Sequence, residues 1–287
     1  MERYDIAIIG TGPAGLSAAI TAKIRNKSVL LLGSRDLSMK IQKAHTIQNY
    51  LGLPDVSGEE LADAFSKHLE QQEISITEDK VSAVYAMGDY FSIMAAKENY
   101  EASTLILATG IPTGKTYPGE EKFLGRGVSY CATCDAPLYK GKKAVIVGFS
   151  PKEEAEAEFM AEIADEVLYI PMYPDEVQLS EKIKMVRETP VAVEGIKQAE
   201  RLVTNANTYE TDGIFFLRES VSPGQLVPGL ELEERHVKVT RRMETNISGC
   251  FACGDIVGTP YQYIKSAGEG NVAVLSAVSY LDQKKRK

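Results

Sequence analysis

Tyr4-Asp5-Ile6-Ala7-Ile8-Ile9-Gly10-Thr11-Gly12-Pro13-Ala14-Gly15 is the stretch from which the fold can be read. It begins as a short apolar run of strand length, turns through Gly-x-Gly-x-x-Gly, and runs into an alanine-rich helical segment reaching to about Arg25. A second apolar run, 28–32, then reads as a buried parallel strand, so the chain opens with a βαβ unit. Each glycine has a task in such a unit. Gly10 permits the tight turn, Gly12 lets a pyrophosphate approach the backbone, and Gly15 lets helix and strand pack closely, while the helix dipole stabilises the phosphates. The motif gains weight from its setting, strand before and helix after. The acidic ribose partner expected about 20 residues on is missing, and Gly33-Ser34-Arg35 stands there instead.

Strands and helices go on alternating beyond this unit. Two short strands flank Met87-Gly88-Asp89 as a hairpin, and Thr104–Ala108 is another buried strand, ending in Thr109-Gly110. A separate unit starts near Lys143, with strand 144–147, a turn, a helix from about Glu153 and strand 166–170. Strands at 214–217 and 236–240 and a final helix from about Ser266 to Leu281 follow. No repeat and no low-complexity segment is visible. The pattern predicts an α/β protein of two Rossmann-like three-layer domains, the second inserted in the first: 1–112 with 218–287, and 113–217.

The bulk properties agree with a folded, soluble chain. At 287 residues there is length for two cores. The 44% hydrophobic and 25% charged composition is ordinary for a globular protein. No apolar run reaches the roughly 20 residues of a membrane span. The amino terminus enters a strand at once, so no signal peptide is expected and a cytoplasmic location follows. A net charge of −8 argues against nucleic-acid and membrane surfaces as partners. His45, His68 and His236 are scattered, so no metal site is expected.

Cysteines fall in two C-x-x-C pairs. In Cys131-Ala132-Thr133-Cys134-Asp135, two thiols at a helix start can close a disulfide, the helix amino end lowers a thiol pKa, and Asp135 offers a proton donor or acceptor for a leaving thiolate. A half-zinc site is the alternative, but no second ligand pair has suitable spacing. Cys250 and Cys253 lie in an apolar strand, where residues three apart sit roughly 10 Å from one another, beyond the about 7 Å a disulfide tolerates. They read as small buried hydrophobes. Gly254-Asp255 follows them, a glycine freeing close approach and a carboxylate able to hold a ribitol or ribose hydroxyl.

Taken in order, these residues resemble the low-molecular-weight thioredoxin reductase family over essentially the whole chain. The landmarks are Gly10-Thr11-Gly12-Pro13-Ala14-Gly15, Asn49-Tyr50 with Gly52, Ala108-Thr109-Gly110, and Gly125-Arg126-Gly127-Val128-Ser129-Tyr130 leading into Cys131-Ala132-Thr133-Cys134-Asp135. Gly249-x-Phe251-Ala252-x-Gly254-Asp255 and Ser266-Ala267-Gly268 complete them. The resemblance implies FAD in the domain built from both chain ends, its phosphates over Gly10, Gly12, Pro13, Ala14 and Gly15 and its ribitol on Asp255. By the same comparison Asn49, Val81, Thr109, Gly110, Gly254 and Gln262 lie near the cofactor. It implies further that Cys134 faces the flavin, that Cys131 attacks the disulfide of thioredoxin with Asp135 as acid, and that the enzyme is a homodimer whose inserted domain swivels.

The chain departs from that pattern where the inserted domain should bind NADPH. The glycine cluster is replaced by Gly148-Phe149-Ser150-Pro151-Lys152-Glu153, and Glu153, Glu154, Glu156 and Glu158 crowd the helix start, where they would repel a phosphate. Instead of the His-Arg-Arg cluster that holds a 2′-phosphate there is Ile170-Pro171-Met172-Tyr173-Pro174-Asp175-Glu176. NADPH is therefore doubtful. The loss makes the chain most similar to the ferredoxin-dependent flavin thioredoxin reductases of clostridia, with reduced ferredoxin as donor. An acidic ferredoxin calls for a basic docking patch, for which Lys140, Lys142, Lys143 and the tail Lys284-Lys285-Arg286-Lys287 are candidates, against plain solvated charge. Tyr261-Gln262-Tyr263 replaces the family's Arg-Gln-Ala, and either tyrosine could meet the isoalloxazine or fill a dimer interface. Three other readings stay open: an unorthodox NADPH site, a dithiol oxidase using oxygen, and a flavin redox sensor.

Overall fold

The computed structural model describes residues 3–37, 39–42, 44–111, 116–120, 122–218, 222–234 and 236–286, with the side chains of Met39, Lys40 and Cys134 outside that description. The chain forms two compact units, Met1–Ile111 with Ser222–Lys287 and Pro112–Val221.

The first unit opens with β1 (Arg3–Ile9), α1 (Pro13–Ile24) and β2 (Val29–Leu32), the two strands parallel with Ile6 opposite Val29 and Ile9 opposite Leu32. α2 (Met39–Gln42), α3 (Gly58–Gln71), β3 (Ile76–Thr77), β4 (Val81–Ala86), β5 (Phe91–Ala95) and β6 (Asn99–Leu107) follow. α3 has no counterpart among the sequence expectations, although its start carries a local signature. The Ser57 hydroxyl accepts the Glu60 N–H, and Glu60 accepts the Ser57 N–H, forming a capping box.

The second unit contains β7 (Val128–Ser129), α4 (Ala132–Asp135), β8 (Lys143–Gly148), α5 (Glu154–Ala161), β9 (Glu166–Pro171), β10 (Ile183–Met185), β11 (Pro190–Glu194), β12 (Arg201–Thr204), β13 (Thr208–Glu210) and β14 (Gly213–Leu217). Its parallel sheet runs β10-β9-β8-β14-β7, and β11, β12 and β13 form a separate antiparallel sheet. The antiparallel sheet is absent from the expectations: its strands are three to five residues long, too short to stand out by periodicity.

The chain then returns to the first unit as α6 (Pro223–Leu226), β15 (Leu232–Glu233), β16 (His236–Val237), β17 (Cys250–Ala252) and α7 (Tyr263–Lys284). The expected strand 236–240 shrinks to the two residues of β16, which pairs with the equally short β15. The expected final helix is longer than its apolar pattern, beginning at Tyr263 behind Gln262 as N-cap. The main sheet is ordered β3-β2-β1-β6-β5-β4. β6 serves two neighbours on one side, pairing antiparallel with β5 through residues 99–102 and parallel with β17 through Leu105–Leu107. This seats β17, and with it Gly254-Asp255, beside the strand that leads into Ala108-Thr109. α1 and α7 pack together over Ile6, Ile8, Leu31 and Ile106, forming the unit's main core.

Candidate functional site

In the first unit the glycine turn is built as its chemistry requires. Gly10 has φ +117°, and a Cβ there would strike the Ala108 carbonyl oxygen at 2.2 Å; at Gly15 it would meet the Gly10 carbonyl oxygen at 1.9 Å. Both glycines are thus demanded by packing. Gly12 is different: a Cβ would meet nothing within 4 Å, and this residue is the N-cap of α1 with no side chain capping the helix and no acid in the first turn. The amino end of a 12-residue helix therefore opens onto free space at Gly12. The Thr11 hydroxyl donates to the Ser34 carbonyl at 2.9 Å, tying the turn to the end of β2.

The carboxy-terminal segment closes on this turn. Gly254 has φ +84°, and its missing Cβ would lie 2.9 Å from the Ala14 Cβ, while a Cβ on Gly270 would lie 2.0 Å from the Ala14 carbonyl oxygen. Asp255 is held by the Ser266 hydroxyl, which donates at 3.1 Å. Lys265 Nζ donates to the carbonyls of Gly254 (3.1 Å) and Gly258 (2.7 Å) and pairs with Glu269 at 3.0 Å, and Glu269 in turn accepts the Gly254 N–H at 3.0 Å. These two side chains clamp the turn that carries Asp255, and nothing local in the sequence marks them.

Thr109 follows Ala108 at the same edge, and its hydroxyl is buried without a hydrogen-bond partner among the described residues. Gly110 has φ +70°. Val81 begins β4 and is buried, Asn49 is exposed between the bridges Ile47–Val56 and Tyr50–Leu53, and Gln262 caps α7. A cradle without side chains, an open helix amino end and an orphaned buried hydroxyl fit a dinucleotide, with Asp255 positioned to take a hydroxyl.

The tyrosines of the 261–263 segment part company. Tyr261 is 47% exposed and its hydroxyl lies 2.7 Å from His236 Nε2. Tyr263 packs against the cluster of Ile41, Ile47 and Leu61, and burial, with the nearby Asp255 carboxylate, raises its pKa. Cys250 and Cys253 are free and fully buried, and burial pushes the Cys250 thiol up to about 12. They are inert packing groups.

In the second unit Cys131 is disulfide-bonded and 6% exposed. The Cys134 side chain lies outside the described residues. Cys131 stands one residue ahead of α4, which is a four-residue turn, so the anticipated helix start is short. Ala132 and Ala136 bury themselves against Ala157 and Met160 of α5. Ser129 ties the motif together. Its hydroxyl donates to Asp135 Oδ2 at 2.7 Å and accepts the Cys131 N–H at 3.2 Å. Glu156 of α5 accepts the Ala132 N–H at 2.8 Å. The sequence reading missed both residues as parts of this site. Ser129 stands close by in the chain, whereas Glu156 is 24 residues away from its partner.

The nucleotide-type turn of this unit is occupied by its own side chains. A Cβ on Gly148 would meet the Tyr169 hydroxyl at 2.0 Å. That hydroxyl lies 3.1 Å from Tyr173, whose own hydroxyl donates to Glu154, which also accepts the Gln178 N–H at 3.0 Å. Glu153 is buried in the short turn leading into α5, and the Arg218 guanidinium stacks 4.5 Å above the Phe149 ring. Carboxylates thus fill the position where a helix amino end would face phosphate.

The basic candidates are partly engaged. Lys142 Nζ donates to the Leu138 carbonyl at 2.9 Å, Lys143 pairs with Glu166 at 3.1 Å, and Lys284 Nζ donates to the Asp89 carbonyl at 2.6 Å. Lys287 lies outside the described residues. Among the described residues no helix is long and apolar enough to cross a membrane, and no group of three or more His, Cys, Asp or Glu could hold a metal.

A dinucleotide-type turn in one α/β unit, beside the parallel strands of a mixed sheet, and a Cys-x-x-Cys in another, beside a parallel sheet, define a disulfide oxidoreductase of the two-domain Rossmann-like class. Residues 4–270 match the pyridine nucleotide-disulphide oxidoreductase family, and the chain belongs to it. Within the family it is homologous to thioredoxin reductases. It is 31% identical to the thioredoxin reductase of Treponema pallidum over 300 residues, covering 97% of each chain. It is also similar to two crystal structures of a ferredoxin-flavin thioredoxin reductase from Clostridium acetobutylicum. One is 52% identical with a TM-score of 0.94 over 100% of each chain. The other is 54% identical with a TM-score of 0.90 over 99% of each.

Proposed function

We propose that this chain is an FAD-dependent thioredoxin-disulfide reductase whose electron donor is reduced ferredoxin, not NADPH. The donor assignment is carried by one observation: the amino end of α5 holds a buried Glu153 and a Glu154 bound by Tyr173 and Gln178, so a pyrophosphate would meet fixed negative charge. The likeness to the clostridial structures, which are of a ferredoxin-flavin enzyme, supports the same reading.

Gly10, Gly12, Pro13, Ala14 and Gly15 would hold the FAD pyrophosphate, Asp255 and Gly254 the ribitol side, and Asn49, Val81, Thr109, Gly110 and Gln262 the remainder. When bound, FAD takes electrons singly from a one-electron donor and delivers two to a disulfide. In the reduced protein Cys131 attacks the thioredoxin disulfide as thiolate, forming a mixed disulfide and releasing one thioredoxin sulfur, which takes a proton with Asp135 as the acid. The Cys134 thiolate then attacks the Cys131 sulfur, restoring the internal disulfide and releasing the second thioredoxin thiol. Two electrons and two protons leave with the product. Domain 113–217 would carry this centre, and 1–112 with 218–287 the flavin. A second copy of the chain would cover Ile264, Val272 and Leu275, exposed along one face of α7.

The test mixes the purified flavoprotein anaerobically with NADPH and then with reduced ferredoxin, following the visible flavin band. Bleaching by ferredoxin alone, with thioredoxin turnover that Cys131→Ser abolishes while the flavin stays reducible, is the expected result. Rapid bleaching by micromolar NADPH would overturn the donor assignment, and turnover surviving in Cys131→Ser would overturn the cysteine roles.

A further inference from the structure

The two backbone N–H groups that flank the Cys131 carbonyl-to-amide link are both spent on oxygen. The Cys131 N–H donates to the Ser129 hydroxyl, itself bound to Asp135, and the Ala132 N–H donates to Glu156 Oε2. A cysteine at a helix start ordinarily gains acidity from such N–H groups. Here the Ala132 N–H is turned toward a carboxylate and the Cys131 N–H toward a hydroxyl that is itself bound to one. The backbone that carries Glu156 is held beside this turn, because Ala132 of α4, Ala136 just after it, and Ala157 and Met160 of α5 are each 0% exposed and packed in one core cluster. The neighbouring titratable and charged groups are Asp135, Tyr139, whose hydroxyl is raised by burial and then by Asp135, and Lys142, 5.6 Å above the Tyr139 ring. Glu154 and Glu158, two residues to either side on α5, serve another loop, accepting the N–H groups of Gln178 and Ser180. Glu156 alone of the three is bonded to the redox turn in this way.

We infer that Glu156 is a positioning residue of the dithiol: its carboxylate anchors the start of the turn at Ala132 and keeps a negative charge beside it, so the reduced Cys131 thiol is less acidic than a bare helix start would make it. This rests on the dithiol reading of the proposed function. Its consequence is chemical. A thiol kept protonated near neutral pH is slower to be oxidised or alkylated adventitiously, yet is a stronger nucleophile once it loses its proton.

The test compares wild type, Glu156→Gln and Glu156→Ala as full-length, flavin-loaded protein. Reduced samples are alkylated with iodoacetamide across a pH series, and modification at Cys131 is followed by mass spectrometry. Gln keeps the size and an acceptor oxygen for the Ala132 N–H but not the charge. Its alkylation profile should move down by about one pH unit, since a like charge beside a thiol disfavours the thiolate. Allowing for the weaker nucleophile, the rate at pH 7 should rise about threefold. Ala should shift at least as far. Unchanged profiles in both variants would overturn the inference, as would a shift in Ala alone, which would leave only packing. These failures are distinct from failure of the functional reading, which would show in wild type itself as an absence of thioredoxin turnover with the flavin reduced.

Discussion

Cys250 and Cys253 show how much a thiol's surroundings decide. They share the C-x-x-C spacing of Cys131 and Cys134, but both are free and buried, and burial pushes the Cys250 thiol up to about 12. At pH 8 only about one Cys250 in ten thousand is then thiolate, and alkylation of the native protein needs that form. Iodoacetamide at pH 8 should leave Cys250 unmodified over hours in the folded protein and label it within minutes in guanidinium, as peptide mass mapping would show. Fast labelling in the native state would contradict its place as a packing group. Asp135, by contrast, is half-buried and accepts the Ser129 hydroxyl, which in turn accepts the Cys131 N–H.

Among the elements, α1 separates two meanings of glycine that the motif alone merges. Gly10 lies in a left-handed conformation against the Ala108 carbonyl, whereas Gly12 has an ordinary backbone and open space before it. Gly10→Ala should therefore fail to fold and be recovered insoluble. Gly12→Ala should fold, losing about 1 kcal/mol or less from the helix cap, and yet come off the column with at least tenfold less flavin. Thermal unfolding of the flavin-stripped protein together with the visible-to-ultraviolet absorbance ratio checks both. A Gly12→Ala protein with full flavin content would remove the turn from the cofactor site. α5 makes the complementary point: it has the helix of a nucleotide fold, but its acids are committed to Tyr173, Gln178, Ser180 and Ala132.

At the scale of the molecule, the second unit is held in part by a buried ion pair between residues 98 apart, Glu120 and Arg218, 0% and 7% exposed, with Arg218 stacked on Phe149 and Phe216. Removing one member of such a pair strands the other charge. Glu120→Gln should cost about 3–5 kcal/mol, seen as an early transition in denaturant unfolding followed by far-UV circular dichroism, while the flavin spectrum is retained. A single transition at the wild-type midpoint would contradict that.

The amino-acid sequence by itself determined the βαβ opening, the glycine turn, the C-x-x-C at 131–134 and the altered second turn at Gly148-Phe149-Ser150. All of these are written within about ten to thirty consecutive residues, where periodicity and backbone freedom act locally. It also pointed to the family in which the chain stands. The antiparallel sheet of 190–210 and the shrunken strand at His236 were not legible in the same way, because short strands take their form from what they pack on, whereas the helix at 58–71 has a legible start in its Ser57–Glu60 capping box. Only the tertiary structure decided that Gly254 and Gly270 close on Ala14, that Lys265 and Glu269 clamp the Asp255 turn, and that Glu156 reaches the Ala132 N–H beside Cys131. Those contacts join residues tens to hundreds of positions apart, and no local pattern encodes a distance that is set only when helices and sheet settle into one packed core.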